Sequence, residues 1–365
     1  MNSRLLMLLL LSFVFQSCKV GRMVWFNIPS IKDHKIFESH TISQGEELFC
    51  FTPSNRNELP YAIETQGKKE ILQDIFKKTK TVAFLVIRND SIINESYFKE
   101  YDEASIVASF SMSKSITSIL IGCAIDDGLI QSIDEPITNY IPELKAQGFE
   151  KVHIEHLLQM TSGIKFNEGY FNPFGKVATY YYGKDLRKEI LKLTLEKEPG
   201  TEFKYKSGNS QLLGVVLERA LKDKTISAYL EEKLWLPMGM EYDASWSIDS
   251  EKSGLEKTFC CLNARAIDFA KIGRLYLNKG NWEGQQLVSE EWVVESTKRS
   301  NANGAANYYQ YQWWLPYNNG SFMAEGILGQ FIYVYPEKNL IIVRLGEKLG
   351  KTDWWAVLNS MAKYY

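Results

Sequence analysis

Ser111 and Lys114 stand at the head of an apolar run: Ile116, Ile119, Leu120, Ile121, Cys123, Ala124 and Ile125. A run that is apolar on every side forms a buried helix. Residues three apart on a helix lie one above the other, so Lys114 is expected one turn above Ser111, at the buried start of a central helix that stops at Asp126-Asp127-Gly128. Burial disfavours the ammonium form and lowers its pKa. A lysine that is neutral near pH 7 can take the serine's proton and make it a nucleophile. A helix N-terminus also favours the negative charge that then develops. The bland alternative is a helix-start serine beside a solvated lysine. Ser96/Lys99 and Ser360/Lys363 share the spacing. The first pair falls in an expected strand, where positions three apart point to opposite faces. The second falls in the last turn of a terminal helix, where Lys363 would be exposed and protonated. Only Ser111 has a buried helix behind it.

An acylating serine also needs an oxyanion hole and a group to protonate the leaving atom. Tyr205 lies in a loop just before a helix expected from about Ser210. It can shuttle protons if a cationic Lys114 depresses its pKa; otherwise it is one packed tyrosine among 20. Which of Lys114 and Tyr205 takes the Ser111 proton stays open at this level. Gly329 opens an expected strand and lets substrate approach the backbone. The Gln330 N–H, with that of Ser111, is the candidate oxyanion donor pair, and Ser207 is a candidate to orient the substrate carbonyl.

These residues sit in a chain of 365 residues, 45% hydrophobic and 24% charged, with net charge −2. That is an ordinary globular composition with nothing to recommend nucleic acid as a partner. Residues 1–17 read as an export signal: Arg4, then an apolar core too short to span a membrane. Ser17-Cys18 after Phe15 is a loose lipobox, although Phe15 stands where an aliphatic is usual. On this reading Cys18 becomes a lipidated N-terminus, and the protein is a periplasmic or outer-membrane lipoprotein of a bacterium. A plain secretory signal is the alternative. Cys50, Cys123, Cys260 and Cys261 show no convincing disulfide framework, though export permits one bond. His153 and His156 lack a third ligand nearby, so no metal is expected, and no cofactor motif is seen.

Elements follow from periodicity. Residues 19–75 read as an irregular extension, with a helix over 68–80. Residues 81–88 and 92–98 form a hairpin across Asn89-Asp90-Ser91. Helices dominate from about 130 to 300, at 153–160, 186–196, 211–221, 264–277 and 289–297. Strands return at 309–315 with 321–324, then at 330–335 with 340–344, before a terminal helix. The economical fold is α+β: one antiparallel sheet built from both chain ends and flanked by helices, beside a mainly helical lobe. The boundaries are a signal at 1–17, an extension at 18–75 and a catalytic domain at 76–365. Within that domain, 76–108 with 305–365 forms the α/β lobe and 109–304 the helical lobe.

Ser111-Met112-Ser113-Lys114, Tyr205-Lys206-Ser207 and Ile327-Leu328-Gly329, in that order and with wide spacing, resemble the three motifs of the penicillin-binding-protein-like serine hydrolases, in the class C β-lactamase branch. The phrases at 128–136, 156–163 and 199–201 resemble it too, and the likeness runs from about 80 to 365. The resemblance implies a β-lactamase/transpeptidase-like fold, with Ser111, Lys114 and Tyr205 as catalytic residues. A serine at 207 and a Gly-Gln third motif are more like the 6-aminohexanoate-dimer hydrolases and related esterases. Ile327 replaces the cation or imidazole that holds a β-lactam carboxylate, which argues against strong penicillinase activity. In the amide-hydrolase branch a loop tyrosine after Thr161-Ser162-Gly163 meets the leaving amine. Tyr170 is the matching residue, and Tyr181 a weaker one. The resemblance implies a hydrolase of a small amide or ester that works through a Ser111 acyl-enzyme; no obligate protein partner is evident in the sequence. A non-catalytic ligand-binding or sensor relative, and a D-alanyl-peptide or β-lactam hydrolase, are the other readings.

Overall fold

The computed structural model describes residues 21, 29–54, 58–170, 172 and 174–365. The signal at 1–17 and Cys18 lie outside the described residues. Asn89 and Asp90 both adopt positive φ, and the turn they make folds Thr81–Arg88 onto Ser91–Tyr97 as an antiparallel pair. The other side of Thr81–Arg88 pairs with Leu340–Gly346, so the two ends of the chain meet in the middle of one sheet. Eight strands result: Tyr309–Gln310, Trp313–Trp314, Phe322–Gly326, Gln330–Tyr335, Leu340–Gly346, Thr81–Arg88, Ser91–Tyr97 and Thr52–Pro53. Every pairing is antiparallel except that of Thr52–Pro53, which runs parallel to its neighbour.

The two central strands are buried on both faces, which is why their sequences are continuous apolar runs. Alternate residues still divide between two cores. Phe84, Val86, Phe331, Tyr333 and Ile342 pack under Trp354–Tyr364 and Leu72–Lys78. Leu85, Ile87, Ile332, Val334, Ile341 and Val343 join the large core shared with the helices. Ala266–Leu277 approaches that face closely at Gly273, where a Cβ would lie 2.8 Å from Ile341 Cγ2.

A second sheet, absent from the sequence reading, places the site. Ser39–Ile42, Ala244–Ser247, Leu262–Ala264 and Val107–Ala108 form it in that order. Val107–Ala108 leads directly into Ser111 and pairs with Leu262–Ala264, which follows Phe259. Two segments about 150 residues apart in sequence are thereby held side by side. The extension also contributes a strand here, through Ser39–Ile42.

Three local expectations are corrected. Lys68–Ile71 is not helical; it pairs with Ala62–Thr65 across a turn with positive φ at Gln66 and Gly67, and the helix is Leu72–Lys78. The strand expected over 309–315 breaks at Tyr311 and Gln312, both at positive φ. The break turns Gln312 into the helical lobe, where its Nε2 donates to the Leu157 and Leu158 carbonyls and its Oε1 accepts from Ser210 Oγ. Cys260 and Cys261, which gave no framework in the sequence, are disulfide-bonded to each other.

Candidate active site

The buried helix is Met112–Asp126, with Ser111 as its N-terminal boundary residue. Phe110 takes a positive φ of 47°, a conformation disfavoured for an aromatic residue and typical of functional sites. Ser109 is clamped on both sides of this turn: its N–H donates to the Leu262 carbonyl and its hydroxyl meets Ser113 Oγ at 2.8 Å. Ser111 is thus presented at the wall of a cleft lined by Phe110, Tyr170, Val177, Ala178, Tyr181, Tyr182, Ser207, Phe259, Cys260, Ile327 and, from the extension, Pro29.

Lys114 is 2% exposed. Its Nζ reaches Ser111 Oγ at 2.9 Å, Ser207 Oγ at 3.2 Å and the Phe259 carbonyl at 2.7 Å. Burial pulls its pKa down to about 8, against the charge of Glu168, which raises it. Tyr205 is stacked on Trp314, with ring centroids 5.5 Å apart, and lies edge-on to Tyr309. Lys114 Nζ sits 5.1 Å from its ring centre. The expected depression of its pKa is overturned. Burial, and after it the charge of Glu168, hold the phenol well above its ordinary range, and the nearby Ser111 side chain offsets this only in part.

Ser207 begins the helix Ser207–Leu221, a turn earlier than expected. Its N–H donates to Glu168 Oε2 at 2.7 Å and its hydroxyl to Glu168 Oε1 at 2.5 Å. Tyr170 lines the cleft and donates its hydroxyl to the same Glu168 Oε1 at 3.0 Å. Tyr181 also lines the cleft, but its hydroxyl is committed to Asp33 Oδ2 at 2.7 Å. Glu168 is the residue the sequence reading passed over. The signal was there, a carboxylate two residues before Tyr170, but nothing local shows that the loop folds back onto Ser207.

The third motif is shifted. Gly329 does not face the cleft; a Cβ there would collide with the Arg344 guanidinium. Arg344 is fully buried and donates to the carbonyls of Leu328, Gly329, Thr79 and Lys348, so Gly329 makes room for an internal arginine and not for substrate. The Gln330 side-chain amide is spent inside the turn, on the Ile327 and Gly346 carbonyls and the Gly346 N–H, and its backbone is paired with Gly326 in the hairpin ladder. The glycine that packs against the serine is Gly326. A Cβ there would collide with the Ser109 carbonyl and lie 3.2 Å from the Ser111 nitrogen. The Gly326 carbonyl accepts from the Gly329 N–H on the hairpin side. A planar trans peptide then directs the Ile327 N–H the opposite way. On that side the neighbouring strand pairs only as far as Met323. Gly326→Ala is expected to lower kcat/KM by about 10²-fold, since a displacement of about 1 Å in reacting groups has that effect. Steady-state assay and a thermal melt of the purified variant check this; wild-type kinetics would refute the packing role.

The β-lactamase family model matches residues 70–356. This chain belongs to the β-lactamase family. A 6-aminohexanoate-dimer hydrolase of Paenarthrobacter ureafaciens is 29% identical over 297 residues, 75% of this chain and 74% of its own. The structure of a Bacillus anthracis protein assigned as a 6-aminohexanoate-dimer hydrolase superimposes with a TM-score of 0.79 at 22% identity, over 92% of this chain and 91% of its own. A family VIII carboxylesterase structure superimposes with a TM-score of 0.62 at 16% identity, over 80% and 95%. The α+β fold implied by the motif resemblance is the fold observed, and family members act on amides and esters.

Proposed function

We propose that this chain is a serine hydrolase that cleaves small amides or esters with no carboxylate beside the scissile bond, through an acyl-enzyme on Ser111. The observation that carries this is the buried Lys114 amine, 2.9 Å from Ser111 Oγ and poised near pH 8. Neutral Lys114 takes the serine's proton as Oγ attacks the substrate carbonyl carbon. The Ser111 and Ile327 N–H groups bind the resulting oxyanion. Tyr205, held neutral, gives its proton to the leaving nitrogen or oxygen and regains one from Lys114. The same groups, in reverse order, activate water for deacylation.

The wall of the cleft supports the substrate class. It is mostly aromatic and aliphatic, and among the described residues its lining holds no lysine or arginine. Lys206, which follows the second-motif tyrosine, is tied to Glu196 Oε1 at 2.6 Å and to the Ile164 carbonyl, so it does not supply a charge to the cleft. The Glu168 carboxylate, bonded to the cleft residues Ser207 and Tyr170, disfavours a further anion beside it. Desolvating a substrate carboxylate here without a partner costs several kcal/mol. The relative named as a hydrolase of a 6-aminohexanoate dimer supports the amide side of the reading, and the carboxylesterase neighbour shares the fold. Residues 1–18 add the proposal that the enzyme works outside the cytoplasm, anchored through Cys18.

kcat/KM for p-nitrophenyl butyrate is expected to exceed that for nitrocefin by at least about tenfold, the factor that 1.4 kcal/mol of lost binding gives. Side-by-side steady-state assays measure it. A nitrocefin value at or above the ester's would return the chain to the β-lactamases proper, and turnover of neither would favour a non-catalytic relative.

A further inference from the structure

We propose that Glu168 is a positioning residue: by holding the Ser207 hydroxyl proton, it makes Ser207 a pure acceptor toward Lys114 and so aims the lysine's lone pair at Ser111. This rests on the reading of Lys114 as the base. A neutral amine has two N–H groups and one lone pair, and Lys114 has three oxygen neighbours to match them: Ser111 Oγ, Ser207 Oγ and the Phe259 carbonyl. The carbonyl can only accept. A hydroxyl can donate or accept, so Ser207 on its own could point its proton at the lone pair and occupy it. The Glu168 carboxylate, an acceptor only, removes that option by taking the Ser207 O–H at 2.5 Å. Ser111 is then the one neighbour left that can donate to Lys114, and its O–H is the bond that the chemistry must break.

The second Glu168 oxygen fixes the geometry, because it accepts the Ser207 N–H at 2.7 Å. This makes Glu168→Gln an informative change. The amide oxygen must go to the Ser207 N–H, an acceptor-demanding group at the helix start. That leaves the amide NH2 opposite the Ser207 and Tyr170 hydroxyls. The Ser207 proton loses its acceptor and turns toward Lys114. The titratable groups facing Lys114 are Tyr205, with its ring centre 5.1 Å from Nζ, and Glu168. Glu168 raises the Lys114 pKa, so its neutralisation also moves the acylation midpoint to lower pH.

The test is the pre-steady-state burst with p-nitrophenyl butyrate, followed from pH 6 to 10 in wild type, E168Q, S207A and the double variant. Burst amplitude counts folded, competent sites, and burst rate reports acylation. A wild-type burst, with a fluorophosphonate label on Ser111, tests the underlying reading separately. E168Q is expected to keep its amplitude, to acylate at least about tenfold more slowly at the high-pH plateau, as a misdirected proton acceptor would, and to shift its midpoint below that of wild type. In the S207A background, with no hydroxyl to turn, the plateau effect of E168Q should largely vanish. An unchanged plateau and midpoint in E168Q would overturn the proposal, and so would an equal plateau loss in the S207A background. If E168Q fails to fold, Glu168→Asp serves instead: a carboxylate that can still accept should retain a plateau nearer to wild type than S207A/E168Q does, and a plateau no better than the double variant's refutes the role.

Discussion

Ser111→Ala is expected to abolish the burst with p-nitrophenyl butyrate and to lower kcat by on the order of 10⁴ or more, as loss of a catalytic serine does elsewhere. The protein itself should fold. Ser111 is not part of the hydrophobic core, and among the described residues its hydroxyl bonds to Lys114 Nζ, a group of the site. The Ser109 and Ser113 contacts that shape the turn are untouched by the change. A fluorophosphonate probe followed by peptide mapping should place the label on the Ser111 peptide in wild type and nowhere in the variant. Label on a different serine, or a variant that still bursts, would remove Ser111 from the mechanism.

Lys114 should show its role in the pH dependence. The amine is a base only when neutral, and burial brings its pKa to about 8. The acylation rate is therefore expected to rise tenfold per pH unit below that value and to level above it. Lys114→Met removes the base and is expected to lower kcat/KM by on the order of 10³, within the range for positioned acid–base groups. It should also stabilise the fold. Below pH 8 both the folded and the unfolded chain hold the lysine proton, and the folded state bears the full cost of burying the charge. The unfolded state keeps that proton up to its ordinary value of 10.5, so the cost fades only as pH rises from about 8 toward that value. At pH 7 the burial cost is about 3 kcal/mol, at about 1.4 kcal/mol per pKa unit. Methionine leaves the Phe259 carbonyl and Ser207 without their donor, so a net gain of about 1 kcal/mol is expected. A denaturant melt at pH 7 checks it. A flat pH profile for wild type, or a variant both active and less stable, would show that Lys114 is a structural cation.

The elements were legible wherever one segment decides its own fate. The 81–97 hairpin, the strands 330–335 and 340–346 and the Ser111 helix carry their patterns in contiguous residues, and each was found within a residue or two. The errors arose where partners are remote. Lys68–Ile71 has residues a helix would accept, and it is a strand because Ala62–Thr65 lies beside it. The 309–315 stretch breaks because Gln312 finds acceptors in a helix over 150 residues away.

The candidate site divides along the same line. The spacing of Ser111 and Lys114 by itself determined that they share one face of a buried helix, because helical geometry is local, and with it came the fall in the lysine's pKa. Tertiary structure alone decided the rest. Tyr205 is shielded from depression because burial and Glu168 act on it through space. Gly329 serves Arg344, and Gly326 takes the place beside the serine, because glycines in one turn look alike until the groups packed against them are known. Glu168 reaches Ser207 only by loop folding. Hydrogen bonds and charge interactions act over a few ångströms regardless of sequence distance, so the partners that tune a reactive group are fixed by the fold and not by the motif that contains it.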